Sequence, residues 1–219
     1  MKKPRILVFA SGGKNPDEGG SGFETMAWNT RLFPPILYAE IVGVISNRLG
    51  GGVYTKAREL EIPFVYFPGP YTFEKYQKII NGFNPDFIML SGWLKPFFGF
   101  PPSRTVNIHP GPLPDFGGKG MHGHHVHEAV LKSYKQGKIT QSAVTIHFVT
   151  EKYDDGPKIV EWPVFIKPDD TVEDIAKRVN ELEKAIQPYY LNLVVNKKIW
   201  LGEKGIVRYN LKVMPQFIN

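Results

Sequence analysis

The sequence predicts an α/β protein: a doubly wound, mostly parallel sheet, with extra strands and a long helix added in its C-terminal half. Three observations carry that expectation. Short apolar runs rich in β-branched residues alternate with amphipathic stretches, the pattern of βα units. The first such run opens straight into a glycine-rich segment that leads to a helical stretch. The last third contains Val172, Ile175, Val179, Leu182, Ile186 and Leu193 at three- and four-residue steps, a long helix with one skipped turn.

In chain order, Arg5 to Ala10 reads as a buried first strand. Ser11 to Gly22 is the glycine-rich connection, and Phe23 to Arg31 a helix. A strand over Glu40 to Ser46, a helix over Val53 to Glu61 and a strand over Phe64 to Phe67 follow. Thr72 is the N-cap expected for a helix reaching Asn81, because its hydroxyl can accept a free first-turn N–H, and Glu74 suits the positive helix end. Phe87 to Ser91 and Thr105 to His109 are strands; the second enters a proline- and glycine-rich loop, Pro110 to Gly120. A helix is expected from Gly123 to Lys135, then strands over Gln141 to Thr150 and Ile159 to Ile166. Pro163 lacks a ladder donor and assigns the second of these to an edge or a bulge. Thr171 caps the long helix, Pro188 is expected to kink or divide it, and Lys198 to Asn219 reads as short strands. No repeat or linker interrupts the chain, so residues 1–219 read as a single domain.

The composition narrows the function. The 219 residues, 42% hydrophobic and 22% charged, suffice for a core. The absence of cysteine removes disulfides, thiolate metal sites and cysteine nucleophiles, and fits a reducing, cytoplasmic setting. No segment approaches the roughly 18 apolar residues of a membrane span, since Lys95 interrupts even Phe87 to Phe100. The apolar run after the basic start is too short for a signal peptide. The net charge of +6 comes from scattered residues rather than a basic stripe, which favours small anionic ligands over nucleic acid.

Three segments can carry chemistry. Ser11-Gly12-Gly13 and Gly19-Gly20-Ser21-Gly22 lie between a strand and a helix, where backbone N–H groups and a helix N-terminus suit phosphate. The segment has neither dinucleotide nor P-loop spacing, and a plain βα connection is the competing reading. Asn107 and His109 stand two apart on a strand and so share a face, where an amide donor and an imidazole can stabilise an oxyanion and move a proton. His147-Phe148-Val149-Thr150 runs into Asp154-Asp155-Gly156-Pro157, a turn whose carboxylate can orient a histidine or serve only as turn chemistry. His122, His124, His125 and His127 crowd one stretch, but a metal site is not favoured with Glu128 as its one nearby carboxylate.

Together these segments resemble the glycinamide ribonucleotide formyltransferases of purine synthesis, within the folate-dependent formyltransferases, from Ile6 to about Leu193. The resemblance rests on Asn107-Ile108-His109-Pro110 with Leu113-Pro114, and on His147-Phe148-Val149-Thr150 leading to Asp154. It implies a formyltransferase-type Rossmann-like fold, with phosphate bound in the N-terminal half and folate and catalysis in the C-terminal half. It implies Asn107, His109 and Asp154 as the catalytic residues; an ungapped count from His147 selects Asp154 over Asp155. The family's second glycine in that turn is Asp155 here. Its phosphate loop corresponds to Ser11 and Gly12 with Gly20, Ser21 and Gly22, separated by an insertion. Glu183, with Asn180 one turn earlier, resembles the ribose-contacting helix, and Trp93, Leu94, Lys95 and Phe97 the folate-pocket loop, where relatives often carry arginine for Lys95.

The implied reaction is formyl transfer from 10-formyltetrahydrofolate, as co-substrate, to the amine of 5-phosphoribosylglycinamide, with no metal, nucleic acid or membrane partner and a homodimer left open. Protonated His109 and the Asn107 amide would stabilise the oxyanion, with Asp154 raising the His109 pKa. Competing readings are a formyltransferase for methionyl-tRNA or an amino sugar, and a folate- or nucleotide-binding domain without turnover. The tRNA enzyme typically adds a C-terminal barrel, for which this sequence leaves no room.

Overall fold

The computed structural model describes residues 2–210. Seven strands form one sheet in the order β3-β2-β1-β4-β5-β6-β7. They are β1 (Arg5–Phe9), β2 (Glu40–Ser46), β3 (Phe64–Tyr66), β4 (Phe87–Ser91), β5 (Thr105–His109), β6 (Gln141–Phe148) and β7 (Lys158–Phe165). The first five pair in parallel, while β5–β6 and β6–β7 are antiparallel. The helices are α1 (Ser21–Arg31), α2 (Gly52–Glu59), α3 (Phe73–Phe83), α4 (His124–Lys135) and α5 (Val172–Val195).

Strand alternation decides which residues meet which helix. On β1, Ile6 and Val8 face a core shared with Phe23 and Met26 of α1, Val130 of α4 and Val179 of α5. Leu7 and Phe9 face the opposite layer, with Tyr76 and Ile80 of α3 and the rings of Trp93 and Phe97. The chain leaves β1 toward β2 and β3 on one side and returns to β4 and β5 on the other. The crevice beyond the carboxyl ends of β1 and β4 is therefore the topological switch point, where open α/β sheets bind ligands.

The expected elements appear, with ends displaced by a residue or two. Thr72 accepts the Lys75 N–H as cap of α3, and Pro163 lies on β7, the outer strand. Pro188 is the exception to the expectation: α5 runs unbroken from Val172 to Val195. The proline removes one helical hydrogen bond, but Ile186, Tyr190, Leu191 and Leu193 around it are buried in the core and hold the helix through it. The tail forms a hairpin of β8 (Ile199–Leu201) and β9 (Val207–Tyr209); the remainder of the expected C-terminal strands lies outside the described residues.

Helix α5 begins with a reciprocal cap: the Thr171 hydroxyl accepts the Asp174 N–H, and Asp174 accepts the Thr171 N–H at 3.0 Å. Thr171→Ala removes half of that box and is expected to cost about 1 kcal/mol, read as a lower urea midpoint at unchanged slope.

Candidate active site

A cleft of about 730 Å³ opens at the switch point, inside the size range of ligand pockets. Its walls come from the β1–α1 loop, the end of β4, the Asn107–Pro110 segment, the 118–124 loop, Tyr153-Asp154 and one face of α5.

The glycine-rich segment supplies one end. Gly20 caps α1 in the left-handed region (φ 78°), with no side chain closing the helix. The first-turn N–H groups thus keep no internal partner and carry the positive end of the helix dipole. The insertion closes on itself: the Glu18 carbonyl accepts the N–H of Gly13 and of Gly52, and a β-carbon on Gly19 would stand 2.5 Å from Gly12 Cα. Gly12 thereby sits beside Gly19 and Gly20 despite the intervening residues, and Gly12, Gly20, Ser21 and Gly22 all line the cleft. Ser11 does not. Its N–H donates to the Gly92 carbonyl and its hydroxyl oxygen accepts the Leu94 N–H, so this residue braces the turn after β4 instead of facing a ligand.

The three residues expected to be catalytic meet at the opposite end. Antiparallel pairing of β5 and β6 sets Asn107 opposite His147. The turn after β6 then carries Asp154 back to both: its carboxylate lies 3.6 Å from His109 Nδ1, 3.6 Å from His147 Nε2 and 3.3 Å from Asn107 Nδ2, and accepts the Gly118 N–H at 3.0 Å. Asp154 has φ 53°, a left-handed conformation that aspartate tolerates better than most residues. Gly156 is obligatory, since any β-carbon there would stand 1.6 Å from the Phe148 carbonyl oxygen. Asp155 is exposed and pairs with Lys152.

Electrostatics correct two expectations. Burial pushes the His109 pKa down and outweighs the Asp154 charge that opposes it, so the ring is not held as an imidazolium in this structure. Its Nε2–H donates to the Phe116 carbonyl at 2.8 Å. Burial alone would raise Asp154, but His147, the charge of His109 and the Gly118 N–H together hold its carboxyl below the ordinary value. The Asn107 amide is not a spare donor either: its Nδ2 is taken by His147 Nε2 at 3.0 Å and by Asp154.

Helix α5 forms the remaining wall. Asn180, Glu183 and Gln187 share a face, and Asn180 Nδ2 donates to Ser21 Oγ at 3.4 Å. Gln187, unassigned in the sequence although it continues that face, donates to Ser91 Oγ. The two press against Gly22, where a β-carbon would stand 2.4 Å from Ser91 Oγ. Burial pushes Glu183 up to about 7, the Asn180 hydrogen bond only partly opposing it.

The residues expected to form a folate pocket divide. Trp93 and Leu94 line the cleft, whereas Phe97 is buried against Phe9 and Tyr76, and Lys95 lies over the Tyr71 ring. Trp93, Lys95 and Phe97 border a second cavity of only about 50 Å³, room for one or two waters. His122, His124 and His127 line the cleft; His127 is buried and its pKa is held near 4 by desolvation first and by the charges of His124 and His109 second. Among the described residues, no three His, Asp or Glu side chains are grouped to hold a metal.

The sequence placed His147 at the head of the third chemical segment without a role of its own; strand pairing sets it against Asn107. Glu183 offers a direct check on the α5 wall. Its folded pKa lies above its unfolded one, so its contribution to stability is present in full below the ordinary carboxylate range and is lost as pH rises toward about 7. Wild type should therefore lose stability relative to Glu183→Gln over that window and run parallel to it above. Urea melts from pH 4 to 9 would show the difference.

A family model described as formyl transferase matches residues 5–191. The chain is 30% identical to the chloroplastic phosphoribosylglycinamide formyltransferase of Arabidopsis thaliana, over 98% of this chain and 73% of that protein. It is 32% identical to the trifunctional purine biosynthetic protein adenosine-3 of Bos taurus, over 93% of this chain but 20% of that protein. The structure of glycinamide ribonucleotide transformylase 1 from Symbiobacterium toebii matches with a TM-score of 0.79 at 25% identity, covering 94% of each chain. The chain belongs to the formyl transferase family and, within it, to the phosphoribosylglycinamide formyltransferases.

Proposed function

We propose that this chain transfers the formyl group of 10-formyltetrahydrofolate to the glycyl amine of 5-phosphoribosylglycinamide, a step of purine biosynthesis carried out in the cytoplasm. One observation carries the reading: a continuous cleft joins the open N-terminus of α1 to the buried His109–Asp154 pair. The acceptor's phosphate sits on the N–H groups around Gly12 and Gly20 to Gly22, and its ribose hydroxyls meet Asn180 and Glu183. The donor ring lies along Trp93 and Leu94, so that the formyl carbon and the amine meet beside His109.

The amine lone pair forms the new N–C bond while the formyl π pair moves onto oxygen. The His109 Nε2–H turns from the Phe116 carbonyl to that oxygen, a stronger acceptor. The new negative charge adds to that of Asp154 and draws the His109 pKa back up against burial. The tetrahedral intermediate's ammonium gives up its proton to a water beside the Asp154 carboxylate, whose own pKa lies too low to keep it. That proton passes to the folate nitrogen as its bond to carbon breaks, and the oxygen pair re-forms the carbonyl. Proton and charge balance within the site.

His109→Ala should lower kcat by about 10²–10³ with thermal stability close to wild type. Asp154→Asn should lower the His109 pKa further, because the one neighbouring charge that raises it is gone; NMR titration of His109 reads this alongside the activity. The reading as a whole is tested by following tetrahydrofolate release with 5-phosphoribosylglycinamide, its dephosphorylated form, an amino sugar and methionyl-tRNA. Equal use of the dephosphorylated acceptor would remove the phosphate site, and folate binding without transfer to any amine would overturn the enzyme.

A further inference from the structure

Behind the 93–97 segment lies helix α3, and two consecutive residues of it hold the loop that follows β4. The Tyr76 hydroxyl donates to the Pro96 carbonyl at 2.5 Å and accepts the indole Nε1–H of Trp93 at 3.1 Å. The Gln77 amide donates to the Gly99 carbonyl. Chemistry alone sets the directions at Tyr76. A carbonyl only accepts and an indole nitrogen only donates, so the one phenolic proton goes to Pro96 and an oxygen lone pair takes the indole. Tyr76 is wholly buried, and burial pushes its pKa up, so the hydroxyl keeps its proton well beyond neutral pH.

We infer that Tyr76 is a positioning residue for the donor wall of the cleft, acting through Trp93. This rests on the formyl-transfer reading above, in which the flat ring of the donor lies along Trp93 and Leu94. An indole shows a ligand different surfaces as it turns: a face, an apolar edge or its N–H. With Nε1 drawn back to Tyr76, the polar edge points into the protein and the ring offers the cleft apolar surface alone. A conjugated ring packs on such surface in offset or edge-to-face contact. The Pro96 bond fixes the other end of the same segment, and Trp93 and Pro96 both border the small cavity as well. One hydroxyl therefore sets how Trp93 stands between the two cavities.

Packing and hydrogen bonds act differently here. The Trp93 ring stacks with Phe67 at 6.4 Å and meets Phe9 and Tyr71 edge-on, while the Tyr76 ring lies among Phe9, Phe67 and Phe97. Apolar contact of this kind is non-directional and holds the indole in its layer. The bond to Tyr76 decides which edge of the indole faces inward. From the other side Ser11 accepts the Leu94 N–H, so neighbouring residues of the segment are held by α3 and by the end of β1.

The test uses the full chain. The Trp93 indole N–H, identified in a ¹⁵N spectrum as the signal lost in Trp93→Phe, should exchange slowly with solvent in the wild type. In Tyr76→Phe, which keeps the ring and loses both hydrogen bonds, that signal should move upfield and exchange faster. The same variant should raise the KM for 10-formyltetrahydrofolate about five- to tenfold, the scale of one lost hydrogen bond, with kcat and the acceptor KM changed less than about twofold. Thr171→Ala, which lowers stability at the start of α5 instead, should leave both KM values within about twofold. An indole that exchanges freely in the wild type, or whose signal is unchanged in Tyr76→Phe, would overturn the hold itself. A shifted indole with an unchanged donor KM, or equal rises in both KM values, would overturn the positioning role. A matching rise in Thr171→Ala would overturn it too, by showing that the donor KM follows stability alone. A wild type that transfers no formyl group would strike the function and the donor's place on Trp93, whereas the indole signal decides the hold of Tyr76 by itself.

Discussion

One buried negative charge organises the end of the cleft where β5 and β6 finish. A carboxylate removed from water must be met by hydrogen bonds or opposite charge, or it takes up a proton. Asp154 is met by four residues on three segments: Asn107 and His109 on β5, the Gly118 N–H on the loop after β5, and His147 on β6. Those contacts require the 149–157 turn to fold back across the ends of two strands. The left-handed backbone at Asp154 and the absence of a side chain at Gly156 are the local conditions for that path.

The same charge does not impose itself on its neighbours. His109 lies 3.6 Å from Asp154, yet its burial is the larger effect and the ring's pKa falls. His147 is almost wholly enclosed and spends its two nitrogens on a carbonyl and an amide. The site thus rests as one ionised carboxylate among aromatic rings, and further negative charge appearing on a ligand finds N–H groups already oriented. Fixed dipoles of this kind act strongly because little water screens them.

The other end of the cleft depends on glycine and on α5. Gly12, Gly19 and Gly20 all take positive φ, which lets the loop after β1 turn closely and leave the first N–H groups of α1 unobstructed. The insertion does no harm to this arrangement because Glu18 ties both of its ends together. Helix α5 contributes twice. Its buried side fills the core, and its Asn180, Glu183 and Gln187 face lies against Ser21, the cleft and Ser91.

What the sequence determined was order and type. Apolar runs, the Thr72 and Thr171 caps, Pro163 and the three-to-four-residue repeat on α5 are local signals, and they located the strands and helices to within a residue or two. The Asn107, His109 and Asp154 motifs were equally legible, since each lies in one short segment. The tertiary structure decided everything that depends on how distant segments meet. It turned Ser11 away from the cleft, because its polar groups hold the turn after β4, and it buried Phe97 among Phe9 and Tyr76. It kept α5 whole across Pro188, because burial on both sides outweighs one lost hydrogen bond. It brought His147 to Asn107 through strand register, which spacing along the chain cannot encode. It also reversed the expected effect on His109, since desolvation is a property of the surrounding packing, and no local motif carries it.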